Sequence, residues 1–326
     1  MKLTVILCFV VLGFLTSIMG ATEDGLMYDY YKRTTCPHVE IIIAKMMRDF
    51  VRQDFRVAPR IIRMHFHDCF VRGCDGSVLL NSTAENKAEK DARPNTSLKG
   101  YDVIDRIKDT LEDICPNTVS CADILAYAAR ESVQLTGKFP RYLVQGGRKD
   151  GRISRDIEVS RNIPPSSFNV SSLILNFASK GLSLEEMVTL SGIHSIGVSS
   201  CFSVGKRYSN FNNTGNPDPT LDSDLADSLR RQCDNGTTAS KTVIMDTITP
   251  NVLDNKYYVG LLQNKGLFTS DATLLTDRQT LREVTSNANQ ARAWEMKFVD
   301  AMVKMGEIEV LIGEQGEVRK KCSIVN

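Results

Sequence analysis

The stretch of sequence that decides the fold runs from Arg63 to Ser77 and reads Arg-Met-His-Phe-His-Asp-Cys-Phe-Val-Arg-Gly-Cys-Asp-Gly-Ser. Arg63 and His67 are four residues apart, so on a helix both side chains project from one face, one turn apart. A neutral imidazole can move a proton, and a fixed cation beside it can stabilise charge on a leaving oxygen. The spacing alone also fits a solvated pair on a surface helix, because polar pairs at this spacing are common.

The second half of this stretch is rich in oxygen atoms. Asp68, Asp75 and Ser77 offer side-chain oxygens, while Val71 and Gly73 can offer carbonyl oxygens. Calcium takes several oxygen ligands, often from one tight loop. The two cysteines of the stretch enclose four residues and could staple that loop. The pattern therefore indicates a calcium site, although a plain acidic turn has the same composition.

The chain has four histidines, and two of them are functional candidates. His38 follows Cys-Pro near an expected helix start and fits a structural role. His65 would point about 160° away from His67 around a helix, so the two cannot both face one small site. A hydrolytic metal site built on this pair is therefore disfavoured. His67 and His194, which follows an expected helix, remain.

Apolar residues recur mostly at helical spacing, and few stretches alternate as strands do, so a mainly α fold is predicted. Two long segments, 153–172 and 204–219, are rich in Gly, Pro, Asn and Ser and indicate irregular connections. Helices are predicted at 39–55, at 121–135 with a stop at Gly137, at 183–190 with a capping box of Ser183 and Glu186, from Thr249-Pro250 onward, and at 289–305.

The first 21 residues are typical of a secretory signal peptide, with Lys2 before an apolar run and small residues at the exit. We expect cleavage within 20–22 and a single mature domain over 22–326. A retained signal anchor is disfavoured, because a membrane-spanning helix needs roughly 20 apolar residues. The sequence therefore predicts a secreted, extracellular protein.

Nine cysteines occur, and Cys8 lies in the predicted signal peptide. The remaining eight indicate four disulfides in an exported chain, but eight cysteines allow 105 pairings and arithmetic cannot choose among them. Zinc is disfavoured because no Cys-x-x-Cys pair occurs. The net charge of +1 and the lack of a basic patch exclude a nucleic-acid partner. Glycosylation sequons begin at Asn81, Asn95, Asn169, Asn212 and Asn235.

The chain contains seven characteristic strings: Arg63–Ser77, Val119–Leu125, Gly147–Gly151, Leu190–Gly197, Asp254–Tyr258, Ser270-Asp271 and Met302–Gly306. In these strings it resembles the secreted plant haem peroxidases, the class III group, and the likeness runs from about Tyr31 to the C-terminus. The resemblance implies a mainly α haem peroxidase fold with four disulfides, in which haem lies between two helical lobes. The distal lobe would span roughly 22–150 and the proximal lobe roughly 151–300.

The resemblance also implies a role for single residues around one haem b. His194 would be the proximal iron ligand and Asp271 its hydrogen-bonded partner, which makes the imidazole more basic. Arg63 and His67 would act on the distal side, where Asn95 accepts a hydrogen bond from His67. Phe66 would lie beside the cofactor, and Pro164 would help to hold the electron donor.

Two calcium ions and a disulfide pattern are implied in the same way. The distal ion would be bound by Asp68, Val71, Gly73, Asp75 and Ser77, with Glu89 linked indirectly. The proximal ion would be bound by Ser195, Asp246, Thr249, Val252 and Asp254. The disulfides would be Cys36–Cys115, Cys69–Cys74, Cys201–Cys233 and Cys121–Cys322, which ties back the C-terminal segment.

The implied activity is the reduction of hydrogen peroxide and the one-electron oxidation of small phenolic donors by a monomer, with no membrane partner. A non-catalytic, calcium-bound relative is the main alternative, but it is disfavoured because the candidate catalytic residues are all present. We expect Asn95 to carry no glycan, since a buried side chain cannot be glycosylated.

This sequence departs from the family pattern at several positions. Ser195 stands where Thr is usual, Tyr142 where Trp is usual, and Lys149 where Arg is usual, although Lys cannot form bidentate pairs. Arg93 and Ser203 occupy places where some members carry exposed aromatics. With Arg152, Arg155 and Arg161 in the nearby loop, we expect a weaker aromatic clamp and a preference for anionic phenols.

Overall fold

The computed structural model describes residues 25–233 and 241–326. The predicted signal peptide and its cleavage at 20–22 lie outside the described residues, as does the sequon at Asn235. Within the described part of the chain, no helix is both long and apolar enough to cross a membrane.

The fold is mainly α, as predicted. Two short strands, β1 (Val198–Ser200) and β2 (Thr242–Ile244), pair antiparallel. The described residues form thirteen α-helices: α1 (Val39–Gln53), α2 (Val57–Val71), α3 (Tyr101–Ile114), α4 (Cys121–Thr136), α5 (Asp156–Asn162), α6 (Val170–Ala178), α7 (Leu184–Ser191), α8 (Cys201–Ser209), α9 (Ser223–Cys233), α10 (Lys256–Leu262), α11 (Thr269–Ala272), α12 (Arg278–Asn289) and α13 (Ala291–Met305).

One large apolar core runs through most of the molecule. Helices α1 and α2 pack on α4, which is rich in alanine and almost fully buried, so neighbouring backbones can approach closely. Helix α7 packs against α12 and α13, and both groups contribute side chains to the same core. A smaller cluster lies between α8, α9 and β2. The main core therefore holds α2, which carries His67, and α7, which leads directly to His194.

A buried polar network fixes the N-terminal end of α4. Asp123 is fully buried and pairs with Arg148 at 2.8 Å, and it also accepts a hydrogen bond of 2.7 Å from the Tyr31 hydroxyl. Asp150 accepts backbone N–H groups from the first turn of α4 and from Arg319. Carboxylates are favoured there because the helix dipole leaves positive charge at its N-terminus. The network therefore joins α4 to the C-terminal segment.

The predicted helices agree with the structure to within two residues at their ends, except at one start. The segment 153–172, predicted as an irregular connection, instead contains α5 and the beginning of α6, and the segment 204–219 begins inside α8. The Ser183–Glu186 capping box is formed, and α4 ends where Gly137 predicts. The helix start predicted at Thr249-Pro250 is wrong, because α10 begins only at Lys256. The Thr249 hydroxyl contacts the carboxylates of Asp246 and Asp254 rather than capping a helix.

The structure contains four disulfides, and they join the same cysteine pairs that the resemblance implies. A disulfide restricts the unfolded chain, more strongly when the loop that it closes is longer. The pair Cys121–Cys322 spans 201 residues and ties the C-terminal segment to the start of α4. The others are Cys36–Cys115, Cys69–Cys74 and Cys201–Cys233.

Gly192 is needed for the packing of the turn that carries His194. A Cβ atom at this position would lie 2.7 Å from both the Trp294 ring and the Tyr258 hydroxyl, which are themselves buried. We expect Gly192→Ala to destabilise the fold by about 1–3 kcal/mol through overpacking. Thermal unfolding measures this loss.

Gly205→Ala is the matched control. A Cβ atom at Gly205, inside α8, meets no described atom within 4 Å. Alanine there should stabilise the protein by roughly 0.5–1 kcal/mol, because it favours a helix more than glycine does. Equal melting temperatures for the two variants would show that the turn tolerates the extra methyl group.

Candidate functional site

His67 lies on α2 and is 4% exposed. Its Nδ1 is 2.6 Å from Asn95 Oδ1, while the Asn95 amide donates to the Glu89 carbonyl oxygen at 2.9 Å. Because the amide is used as a donor, Oδ1 must accept, so His67 Nδ1 carries the proton and Nε2 is left as a base. Burial and the charge of Arg63 lower the pKa of His67 to about 3, so the ring is neutral at ordinary pH.

Arg63 lies one turn before His67 on the same helix. Its guanidinium donates to the Pro94 carbonyl oxygen at 3.3 Å and to the Ser97 hydroxyl at 3.0 Å. The loop that holds His67 through Asn95 therefore also holds Arg63. The predicted Arg-His pair thus has one common support, although Arg63 itself is solvent-exposed.

His65 faces another part of the protein. It is buried, its Nδ1 is 3.6 Å from Cys69 Sγ, and it lines a cavity of about 10 Å³ together with Arg148. Burial, with the charge of Arg148, lowers its pKa to about 3. Cys69 and Cys74 lie close to this histidine, but their disulfide removes both thiolates as metal ligands. The arrangement gives no support to a hydrolytic site shared with His67.

His194 lies in the 3-10 turn Gly192–Ser195, directly after α7. Its Nδ1 is 2.8 Å from Asp271 Oδ1. Asp271 is 2% exposed and also accepts the Tyr257 hydroxyl at 2.8 Å and the Phe268 N–H at 2.9 Å. Burial raises the pKa of Asp271, but the His194 charge and these hydrogen bonds bring it below its usual value. Asp271 therefore stays ionised and orients the ring, which leaves His194 Nε2 to bind a metal.

A cluster of buried carboxylates lies below the C-terminal end of α2. Burial, reinforced by mutual repulsion, raises the pKa of Asp68 and Glu89 well above the usual range, and burial raises that of Asp75 to about 6. Both carboxylate oxygens of Glu89 and the Ser77 hydroxyl have no hydrogen-bond partner among the described residues. Buried polar atoms normally have partners, so these oxygen atoms fit a divalent cation.

A second group of oxygen atoms lies beside His194. The Thr249 hydroxyl is 3.1 Å from Asp246 Oδ2 and 3.0 Å from Asp254 Oδ1. The neighbouring Ser195 hydroxyl accepts the Asp254 N–H at 3.2 Å, so serine retains an oxygen atom here in place of the usual threonine. Burial raises the pKa of Asp246. Val252 closes the loop through a hydrogen bond from its N–H to the Thr249 carbonyl oxygen, at 3.0 Å.

Pro164 lies on the connection between α5 and α6. Two residues later, the Ser166 hydroxyl donates to the Ser203 carbonyl oxygen at 3.4 Å, which brings the start of α8 beside this connection. There the Arg93 guanidinium lies 5.3 Å from the ring centre of Phe202, which is 61% exposed. Phe202 thus presents an exposed phenyl ring one residue before Ser203, the position where some family members carry an exposed aromatic residue.

Phe66 lies partly buried on α2, next to His67. Its ring centre is 4.2 Å from that of Phe70 and 6.3 Å from that of Phe177. The three rings form an apolar wall on this side of the helix.

Comparison with known proteins identifies the family. The model of the peroxidase family matches residues 43–290. Peroxidase 5 of Vitis vinifera is 51% identical over 306 residues, which cover 93% of this chain and 92% of the relative. Peroxidase 1 of Arabidopsis thaliana is 43% identical over 324 residues, which cover 98% of both chains. The chain belongs to the class III plant peroxidases. It is an enzyme that uses hydrogen peroxide to oxidise reducing donors.

The haem that this peroxidase family implies fits the chemistry of the two histidines. His194 has one nitrogen held by a buried carboxylate, as histidine ligands of metals do. The Asn95 amide fixes which nitrogen of His67 is the base, while burial and the charge of Arg63 keep this ring neutral.

Sequence reasoning did not identify two residues that lie at the candidate site, Tyr257 and Phe202. Tyr257 donates to Asp271, and its only signal was its place within the string Asp254–Tyr258. Phe202 directly precedes Ser203, but its exposure depends on how α8 packs. Neither contact could be read from sequence spacing, because both depend on the arrangement of distant segments.

The sequon at Asn95 yields a testable expectation for the peroxidase. Asn95 is 1% exposed, and both ends of its amide are hydrogen-bonded. Asn81, Asn169 and Asn212 are exposed. Peptide mapping of the secreted protein should find no glycan on Asn95, with any sugar confined to exposed sequons. A glycan on Asn95 in active protein would contradict its role beside His67.

Proposed function

We propose that the peroxidase binds one haem b between His194 and His67, and that its Arg63, His67 and Asn95 carry the catalytic proton chemistry. When bound, the haem supplies the redox chemistry and accepts electrons one at a time from the donor. His194 Nε2 would ligate the haem iron, and Phe66 would pack beside the haem. The observation that carries the proposal is the hydrogen bond between His67 and Asn95.

His67 would take a proton from one oxygen of hydrogen peroxide and deliver it to the other, which leaves as water, while the two electrons that break the O–O bond would come from the haem. The neutral ring can do this because its Nδ1 proton is held by Asn95, so Nε2 both accepts and returns the proton. Arg63 would stabilise the negative charge on the leaving oxygen. The shared 93–97 loop supports the two side chains in one arrangement.

Two calcium sites complete the proposed centre. The distal ion would be held by Asp68, Val71, Gly73, Asp75 and Ser77, with Glu89 linked indirectly. The proximal ion would be held by Ser195, Asp246, Thr249, Val252 and Asp254. The orphaned oxygen atoms of the distal cluster support the first site, and the two adjoining carboxylates support the second. Since Ser195 neighbours His194, loss of the second ion should disturb the iron ligand.

The proposed donors are small phenols that bind near Pro164. A phenyl ring and a guanidinium lie together at this place, so a phenol that carries a carboxylate would meet both an aromatic face and a positive charge. Arg93 has no ion-pair partner among the described residues, whereas the guanidinium of Arg152 is bound by Glu317. Arg93 is therefore the better candidate for selecting anionic donors.

The proposed setting is the extracellular space or cell wall. The relatives are plant class III peroxidases, and the predicted leader and four disulfides suit an exported chain. We further propose a monomer with a single domain over 22–326, made of a distal lobe (22–150) and a proximal lobe (151–300). No membrane or nucleic-acid partner is proposed.

His67→Leu should slow the reaction with hydrogen peroxide by more than the ~10²–10⁴-fold typical of acid–base catalysis, because positioning is lost as well. The variant should still show a Soret band. The neutral ring is the base, so the parent rate should be flat at neutral pH and fall only as the pH drops toward about 3. Stopped-flow absorbance measures both effects.

His65→Leu is the control, because His65 is an equally buried histidine on the same helix that faces elsewhere. With haem bound, it should react with peroxide at the parent rate. A His67→Leu variant that reacts at nearly the parent rate would remove His67 as the proton carrier. If the parent protein shows no Soret band although it is loaded with calcium and its disulfides are formed, the proposed haem site is rejected.

Arg93→Gln should lower kcat/KM for a carboxylated phenol by about two- to fivefold, the range for an exposed charge pair, and leave a neutral phenol unchanged. In the parent, added salt should reduce the preference because it screens the charge. Arg152→Gln is the control and should change neither value. Equal specificity constants for the two phenols in the parent at every salt concentration would contradict the anionic preference.

A further inference from the structure

Arg72 joins the candidate distal calcium loop to α5. It stands between Val71 and Gly73, whose carbonyl oxygens are proposed calcium ligands. Its guanidinium makes two hydrogen bonds to Glu158, from Nε at 2.6 Å and from Nη2 at 2.7 Å. Only about a quarter of each side chain is exposed, 27% for Arg72 and 24% for Glu158. Such two-point pairs fix orientation as well as distance.

The segment 86–89, which includes Glu89 of the carboxylate cluster, also contacts α5 and the residues just before it. The Asn86 amide donates to the Ser154 carbonyl oxygen at 2.8 Å, and the Glu89 N–H donates to the Ser154 hydroxyl at 3.0 Å. The Asp156 N–H donates to the Lys87 carbonyl oxygen at 3.0 Å, and their side chains form an ion pair at 3.1 Å. Arg72 of the candidate calcium loop and the segment 86–89 therefore both contact this short helix or the residues just before it.

Helix α5 leads directly to the donor loop. The Asn162 amide donates to the Glu158 carbonyl oxygen at 2.9 Å, and the Asn162 carbonyl oxygen accepts the Asn176 amide of α6 at 2.8 Å. Ile163 follows and is buried, and Pro164 comes next. A shift of Glu158 would therefore pass to Pro164 through a short and well-bonded piece of chain.

We propose that Arg72 is a positioning residue through which the distal calcium ion orders the donor loop. The ion would fix the loop on both sides of Arg72, Arg72 would fix Glu158, and α5 would set the position of Pro164. The coupling works in both directions, because a free energy that links two sites is reciprocal. This inference rests on the proposed distal calcium and donor sites.

The test compares three proteins with the haem-loaded parent. Glu158→Gln removes the charge but keeps the shape of the side chain. The double variant Arg72→Glu with Glu158→Arg reverses the pair. Glu317→Gln is the control, since Glu317 pairs with Arg152 outside the 154–164 segment.

Three quantities are measured. Calcium content by elemental analysis and calcium release into a chelator with a fluorescent indicator report on the ion. KM for a phenolic donor reports on the donor loop. The rate constant for reaction with hydrogen peroxide reports on the distal residues.

In Glu158→Gln, calcium release should be about two- to fivefold faster and donor KM higher by a similar factor, as for loss of a partly exposed ion pair. The reaction with peroxide should not change. The reversed pair should restore both altered values toward those of the parent, and Glu317→Gln should match the parent.

The coupling would be overturned if calcium release and donor KM both stayed at the parent values in Glu158→Gln. It would also be overturned if the rate constant for reaction with hydrogen peroxide fell by as large a factor as KM rose. A parent with fewer than two calcium ions would instead contradict the calcium sites themselves. The two failures can therefore be told apart.

Discussion

The candidate catalytic site of this peroxidase depends on one asparagine, which makes two hydrogen bonds. Asn95 accepts from His67 and donates to the main chain at Glu89, whose carboxylate belongs to the buried cluster below α2. The first bond decides which nitrogen of His67 is the base, and the second decides which way the amide faces. The proposed proton chemistry and the candidate calcium loop are thus joined through a single side chain.

The same principle recurs on the proximal side with the opposite electrostatic choice. His194 is bonded to a carboxylate, Asp271, which stays ionised because the histidine, Tyr257 and a backbone N–H all stabilise its charge. Burial and the charge of Arg63 keep the His67 imidazole neutral, whereas the carboxylate partner of His194 makes that imidazole more basic. The roles proposed for the two histidines differ because their surroundings differ.

Buried charge serves two purposes in this fold. The pair of Asp123 and Arg148 is fully satisfied and locks α4 to its surroundings. The distal carboxylates are equally buried but mutually repulsive, and Glu89 has no partner among the described residues. Burying an uncompensated charge is costly, so the first arrangement supports structure while the second fits an ion. At the proposed donor site, the exposed Arg93 guanidinium lies over the Phe202 ring.

The sequence by itself determined the local features: the Arg63–His67 spacing, the capping box at Ser183, the helix stop at Gly137 and the number of disulfides. The first three follow from backbone geometry within a few residues, and the last follows from the even number of cysteines in the predicted mature chain. The partners of the two histidines, 28 and 77 residues away, came only from family resemblance, because no local rule selects them. Tertiary structure alone decided that Thr249 contacts carboxylates instead of starting a helix, that Phe202 is exposed beside Arg93, and that Arg72 reaches Glu158. Such contacts depend on how distant segments pack, which local periodicity does not encode.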